Sequence, residues 1–158
     1  MTTVEELNKV TELVKQKAKI IAESGEECMP VIFALNEKGL TVIGTYITEQ
    51  SKRVYKSAIQ EVLRKLNADA FVSVNEGWCH TSREENDTTK RLLSGDISVS
   101  DLPPDDKKEM VMIISVINGQ FSECHMADII KTTDDRRLLC EWKRMDEVGE
   151  GRMVIKEW

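Results

Sequence analysis

Apolar positions first recur at helical spacing. Val4, Leu7, Thr11, Val14, Ala18 and Ile21 step along one face, and Val10, Leu13 and Ile20 widen it. The pattern predicts a helix over residues 3–24. Thr3 is its N-cap, Glu6 completes a capping box, and Gly25 stops it. The stripe is close to a heptad, so pairing with the helix of a second copy stands beside packing on the chain's own sheet. The period then changes. Residues 30–35 form an apolar run, Asn36 to Gly39 a turn, and residues 40–48 a β-branched, near-alternating stretch. Together they predict a β-hairpin. Helical spacing returns at Val54, Ala58, Ile59, Val62 and Leu66, with Ser51 offered as N-cap and Asn67 as C-cap.

Residues 68–78 read as a strand that runs straight into the most polar part of the chain. Residues 79–108 show no apolar periodicity, and a loop of this length is usually functional or mobile. Residues 109–117 are the most apolar stretch and predict a central strand buried on both faces. Asn118-Gly119 is a strong hairpin signal, and residues 121–130 are expected to pair back along it. Another turn at residues 132–135 leads into a strand over 137–145. Gly149 and Gly151 then close a last hairpin with a terminal strand over 152–158. The order α-β-β-α-β-β-β-β-β predicts a single α+β domain. Its sheet should be curved, predominantly antiparallel and of about six to seven strands, with the two main helices on one face.

The first part of this order resembles that of roadblock- and profilin-like domains, many of which serve as binding or dimerisation platforms. A second resemblance rests on residues. Glu76 and Trp78 end a strand, a loop follows, and Pro104, Asp106, Lys107 and Glu109 precede the next apolar strand. This is similar to a group of small uncharacterised prokaryotic and phage proteins, in which a Glu-x-Trp strand end is followed by Pro…Asp-Arg-x-Glu. Lysine stands here at the basic position, and the loop is long. The resemblance points to a site and implies no reaction.

Composition changes the picture in two ways. A net charge of −6 argues against nucleic acid or an anionic membrane as the main partner. No apolar run approaches the ~20 residues needed to span a bilayer, and the N-terminus lacks the features of a signal peptide. We therefore expect a cytoplasmic protein, with Cys28, Cys79, Cys124 and Cys140 as thiols.

Three constellations carry candidate chemistry. Glu76, His80 and Arg83 gather where the strand meets the loop, a setting for general acid–base work. A carboxylate beside Trp78 would be partly desolvated, and a histidine is the side chain suited to sharing protons with it. The competing reading is that Glu76 pairs with Lys107 or Lys108 and anchors the loop. Cys79, His80, Cys124 and His125 form two Cys-His pairs of a type that suits tetrahedral zinc. Adjacent residues of a strand point to opposite faces, however, so Cys124 and His125 are expected not to share one ion. No phosphate loop, catalytic triad order or His-Glu-x-x-His motif is present, and no motif calls for a cofactor. Trp78, Trp158 and Ile155 are the candidate interface residues. An uncovered terminal strand ending in Ile155 and Trp158 would invite a second copy. The expectation is a non-catalytic binding or assembly module acting as a homodimer. The alternative is a small hydrolase built around Glu76 and His80.

Overall fold

The computed structural model describes residues 1–45, 54–80, 86–145 and 154–158. The elements in order are α1 (Val4–Glu23), β1 (Val31–Asn36), β2 (Gly39–Gly44), α2 (Tyr55–Lys65), β3 (Ala70–Cys79), α3 (Asp87–Ser94), β4 (Lys108–Ile117), β5 (Phe121–Lys131), β6 (Arg137–Leu139) and β7 (Lys143–Met145). The strands form one sheet in the order β2-β1-β3-β4-β5-β6, with β7 also on β5. Every pairing is antiparallel. This is the expected α+β architecture.

Local signals place the elements. The Thr3 side chain accepts the Glu6 N–H while the Glu6 carboxylate accepts the Thr3 N–H, so the capping box forms as read. Asn67 takes the left-handed conformation, φ 48°, just past α2. The Ala68 N–H then reaches back to the Leu63 carbonyl at 2.9 Å, which satisfies the end of the helix. Gly119, φ 65°, turns β4 into β5.

The two main helices lie on opposite faces of the sheet, a correction to the expected arrangement. Leu7, Val14, Ala18 and Ala22 of α1 pack with Val72 and Val74 of β3, Val111 and Ile113 of β4, and Ala127 and Ile129 of β5. On the other face Ile59 and Leu63 of α2 pack with Ile32 and Ala34 of β1, Phe71 of β3 and Val116 of β4. Alternation along a strand enforces the division, since Phe71 points opposite to Ala70 and Val72. β4 is covered on both faces only toward its end, at Val116 and Ile117; Met110, Met112 and Ile114 are half-buried.

Three further expectations change. The irregular stretch after residue 79 contains α3 and two single-turn helices, Val99–Asp101 and Pro104–Asp106. The single strand expected over 137–145 is two short strands, split at residues 140–142. Residues 154–158 carry no strand, so the terminal edge strand is absent there; residues 152 and 153 lie outside the described residues, as does Ser51. No described helix is long and apolar enough to cross a membrane.

Candidate functional site

Glu76 lies on the α1 face of β3, and its side chain is only 3% exposed. It does not pair with Lys107 or Lys108. Its Oε1 meets Nη2 of Arg137 from β6, and its Oε2 accepts the Cys28 N–H at 2.8 Å. Arg137 is held further by the Glu26 carbonyl at 2.9 Å and lies 3.6 Å from Glu109. The group ties β3, β4 and β6 to the segment after α1. A buried carboxylate so enclosed and neutralised is a structural anchor, poorly placed to exchange protons with a substrate.

His80 is not brought to Glu76. Its Nδ1 lies 2.6 Å from the Asp106 carbonyl, which fastens the end of β3 to the turn before β4. Arg83 lies outside the described residues. Lys108 pairs at 3.9 Å with Asp128, and Lys107 sits 4.4 Å from the centre of the Trp78 ring. Trp78 remains 45% exposed.

The Cys-His pairs separate as strand geometry requires. Cys124 and His125 are consecutive on β5 and face opposite sides of the sheet. Among the described residues, no group of three or more His, Cys, Asp or Glu side chains is arranged to hold a metal ion. All four cysteines are free. Burial pushes the Cys124 thiol up to about 11, with the Cys79 thiol adding to it. Trp158 and Ile155, expected at an interface, are packed within the chain on the α2 face. The Trp158 ring stands 5.5 Å from that of Phe71, and its Nε1–H donates to the Ala68 carbonyl at 2.8 Å. Asn118 binds the backbone of Trp158 twice, accepting its N–H and donating to its carbonyl.

A different cluster emerges beneath α1. Four buried polar residues, Thr11, Ser115, Glu123 and His125, lie together. Register explains this. Ser115 of β4 is opposite Glu123 of β5, and His125 is opposite Arg144 of β7. Thr11 reaches down from α1, and its Oγ1 lies 2.7 Å from Ser115 Oγ. Thr11 donates its own proton to the Leu7 carbonyl at 2.9 Å, so Ser115 is the donor between the hydroxyls. Glu123 takes Arg144 Nε at 3.0 Å on one oxygen and has His125 Nε2 at 3.8 Å from the other. His125 Nδ1 is buried without a hydrogen-bond partner. Burial first, and then Lys15, hold His125 below its ordinary pKa against the opposing pull of Glu123 and Glu12. Thr11, Glu123 and His125 line a cleft of about 250 Å³ between α1 and β5.

Among these residues the sequence reading weighed chemistry for His125 alone, as a candidate in a zinc site whose strand spacing counts against it. The signal for the rest was polar residues at core-face positions: Thr11 in the apolar stripe of α1, Ser115 in the most apolar strand, and Glu123 alternating between Phe121 and Ala127. Comparison of the chain with family models, with curated proteins and with solved structures returned no match.

Proposed function

We propose that the protein is a non-catalytic assembly module of the cytoplasm that pairs with a second copy of itself along β2. The observation that carries the reading is the character of that edge. Among the described residues β2 is the last strand of the sheet; it contains no charged residue or proline, and it exposes Leu40 by 50% and Val42 by 60%. Proteins usually blunt such an edge with charge, proline or a cover, because its free N–H and C=O groups recruit another strand. The Thr45 N–H donates to the Pro30 carbonyl at 3.0 Å. With the unbroken register from Val31↔Gly44 to Asn36↔Gly39, this sends the N–H groups of Leu40, Val42 and Gly44 away from β1.

An antiparallel pair about a two-fold axis through Thr41 sets Leu40 of one copy opposite Val42 of the other. Leu13 and Ile20, exposed on the same side of α1 as Val10, extend the apolar surface above the strand. The four free thiols agree with a reducing compartment. The hydrolase alternative finds no support in Glu76 and His80, which are engaged separately in anchoring contacts.

Light scattering tests the reading. The expected mass at micromolar concentration is twice the 18.0 kDa of the chain. Val42→Lys, which places a charge on the edge without touching the core, is expected to weaken association by about 2 kcal/mol or more. A wild-type protein that stays monomeric at high concentration overturns the proposal.

A further inference from the structure

We propose that Asn118-Gly119 is a site of spontaneous backbone modification held in check by residues 155–158, and that conversion of Asn118 to aspartate or isoaspartate detaches that segment. The inference is independent of the pairing of β2.

The chemistry belongs to the dipeptide that turns β4 into β5. The Gly119 nitrogen can attack Cγ of the Asn118 side chain, because glycine has no side chain to obstruct the approach. A bond forms between that nitrogen and Cγ, and the bond from Cγ to Nδ2 breaks. Nδ2 leaves as ammonia with the proton from the Gly119 N–H, and a cyclic imide remains. Water opens the ring at either of its carbonyls and leaves aspartate or isoaspartate at position 118. Water is the sole co-reactant, and it reaches the turn, where Gly119 is exposed and Asn118 half-buried.

The fold engages each reacting group. The Gly119 N–H, which must lose its proton for the nitrogen to attack, donates to the Lys156 carbonyl at 3.0 Å. Asn118 Nδ2 donates to the Trp158 carbonyl at 3.0 Å, and Oδ1 accepts the Trp158 N–H at 3.0 Å. One short segment thus fixes both the nucleophile and the side-chain amide. That segment is anchored by packing. Ile155 is buried in the core on the α2 face, and the Trp158 ring stands against Phe71 and donates to the Ala68 carbonyl. Gln60 Nε2 adds a bond to the Glu157 carbonyl at 2.8 Å. Cyclisation requires the Asn118 side chain to swing onto the Gly119 nitrogen, so the segment must lift first, by local opening.

The same contacts make the change one-way. An amide both donates and accepts, which matches the Trp158 carbonyl and N–H, whereas an ionised carboxylate only accepts. Aspartate at position 118 sets two acceptors against each other at the Trp158 carbonyl. Isoaspartate adds a backbone atom to the turn. Neither product restores the pair of bonds, and the opened segment stays open.

The test is peptide mapping of the full chain during incubation at mildly alkaline pH, with and without urea. Mapping separates asparagine, aspartate and isoaspartate at position 118. Conversion is expected to be at least about tenfold slower in the folded chain than in urea, the hold of two hydrogen bonds. Trp158→Ala removes the aromatic anchor, and Gln60→Ala cuts the Glu157 contact while sparing the core; circular dichroism checks that each folds. In the folded chain Trp158→Ala is expected to speed conversion by about tenfold, and Gln60→Ala to speed it less. Asn118→Asp reproduces one product directly. In it, exchange of the Trp158 indole N–H, followed by NMR, is expected to quicken by about tenfold. The proposal is overturned by equal conversion in the folded and unfolded chains, by unchanged conversion in both Trp158→Ala and Gln60→Ala, or by unchanged indole exchange in Asn118→Asp.

Discussion

At the scale of single residues, two groups of buried charges among the described residues have opposite characters. Around Glu76 the charges close on one another. Removing Glu76 would leave the buried Arg137 guanidinium with the Glu26 carbonyl at 2.9 Å and the Glu109 carboxylate at 3.6 Å. Glu76→Ala is therefore expected to destabilise the fold by about 3–5 kcal/mol, near the lower end because Glu109 remains, as read by urea denaturation. An unchanged midpoint would show that the pair contributes nothing net. Around His125 the imidazole is instead held below its ordinary value of 6.5, chiefly by burial. A base with a depressed folded-state pKa leaves the unfolded chain binding more protons. Stability is thus full above about 6.5 and falls as pH drops from there through the folded-state value. Denaturation midpoints from neutral to mildly acid pH should decline more steeply in the wild-type protein than in His125→Gln, and parallel slopes would contradict the assignment. Glu76 was legible as a residue to watch, but its role was not. Its partner is 61 positions away, and nothing local to either residue announces the contact.

At the scale of elements, the signals that worked were those whose physics is local. Thr3 with Glu6, Asn67 and the Asn118-Gly119 turn each satisfy or bend backbone within a few residues, and each falls where it was read. The placement of the helices was misread, although the chain carries the necessary signal. Residues 31–35 and 70–72 are continuous apolar runs, and a sheet with one wet face would alternate instead. Such runs in β1 and β3 require cover on both sides, which α1 and α2 supply. α3 was missed because it lacks apolar periodicity. Its ends are marked by Asn86, whose side chain accepts the Thr89 N–H, and by Gly95 at φ 78°, but it buries no residue. A helix of two turns without a buried face is marginal on its own, since most helical stability comes from packing. Limited trypsin digestion is therefore expected to cut early at Lys90 or Arg91, both on α3. First cuts within β4 or β5 would mean that α3 is held more firmly than its exposure implies.

At the scale of the whole molecule, the two edges that the sheet has among the described residues are built differently, and the difference bears on the pairing proposed above. The β6 and β7 edge consists of two three-residue strands carrying Arg137, Lys143 and Arg144. Shortness and charge are the usual means of refusing a partner strand. The β2 edge has six residues and no charge. One receptive edge and one refusing edge favour closure: joining β2 to the far edge of another copy would propagate a filament, whereas joining β2 to β2 ends at two chains. The sequence reading placed pairing at the terminus, where Trp158 looked unanchored; Asn118, 40 positions earlier, holds Trp158 in place, and residues 154–158 form no strand. Hydrogen exchange separates the proposed assembly from any other. The N–H groups of Thr41 and Ile43 point toward β1 and should be protected at every concentration. Those of Leu40, Val42 and Gly44 point outward, and should exchange fast in dilute protein and slow as the concentration rises through the dimerisation range. In Val42→Lys the outward set should stay fast throughout. If light scattering reports a dimer while Leu40, Val42 and Gly44 exchange at one rate at all concentrations, the copies meet elsewhere, and the exposed flank of α1 with Leu13 and Ile20 becomes the surface to substitute next.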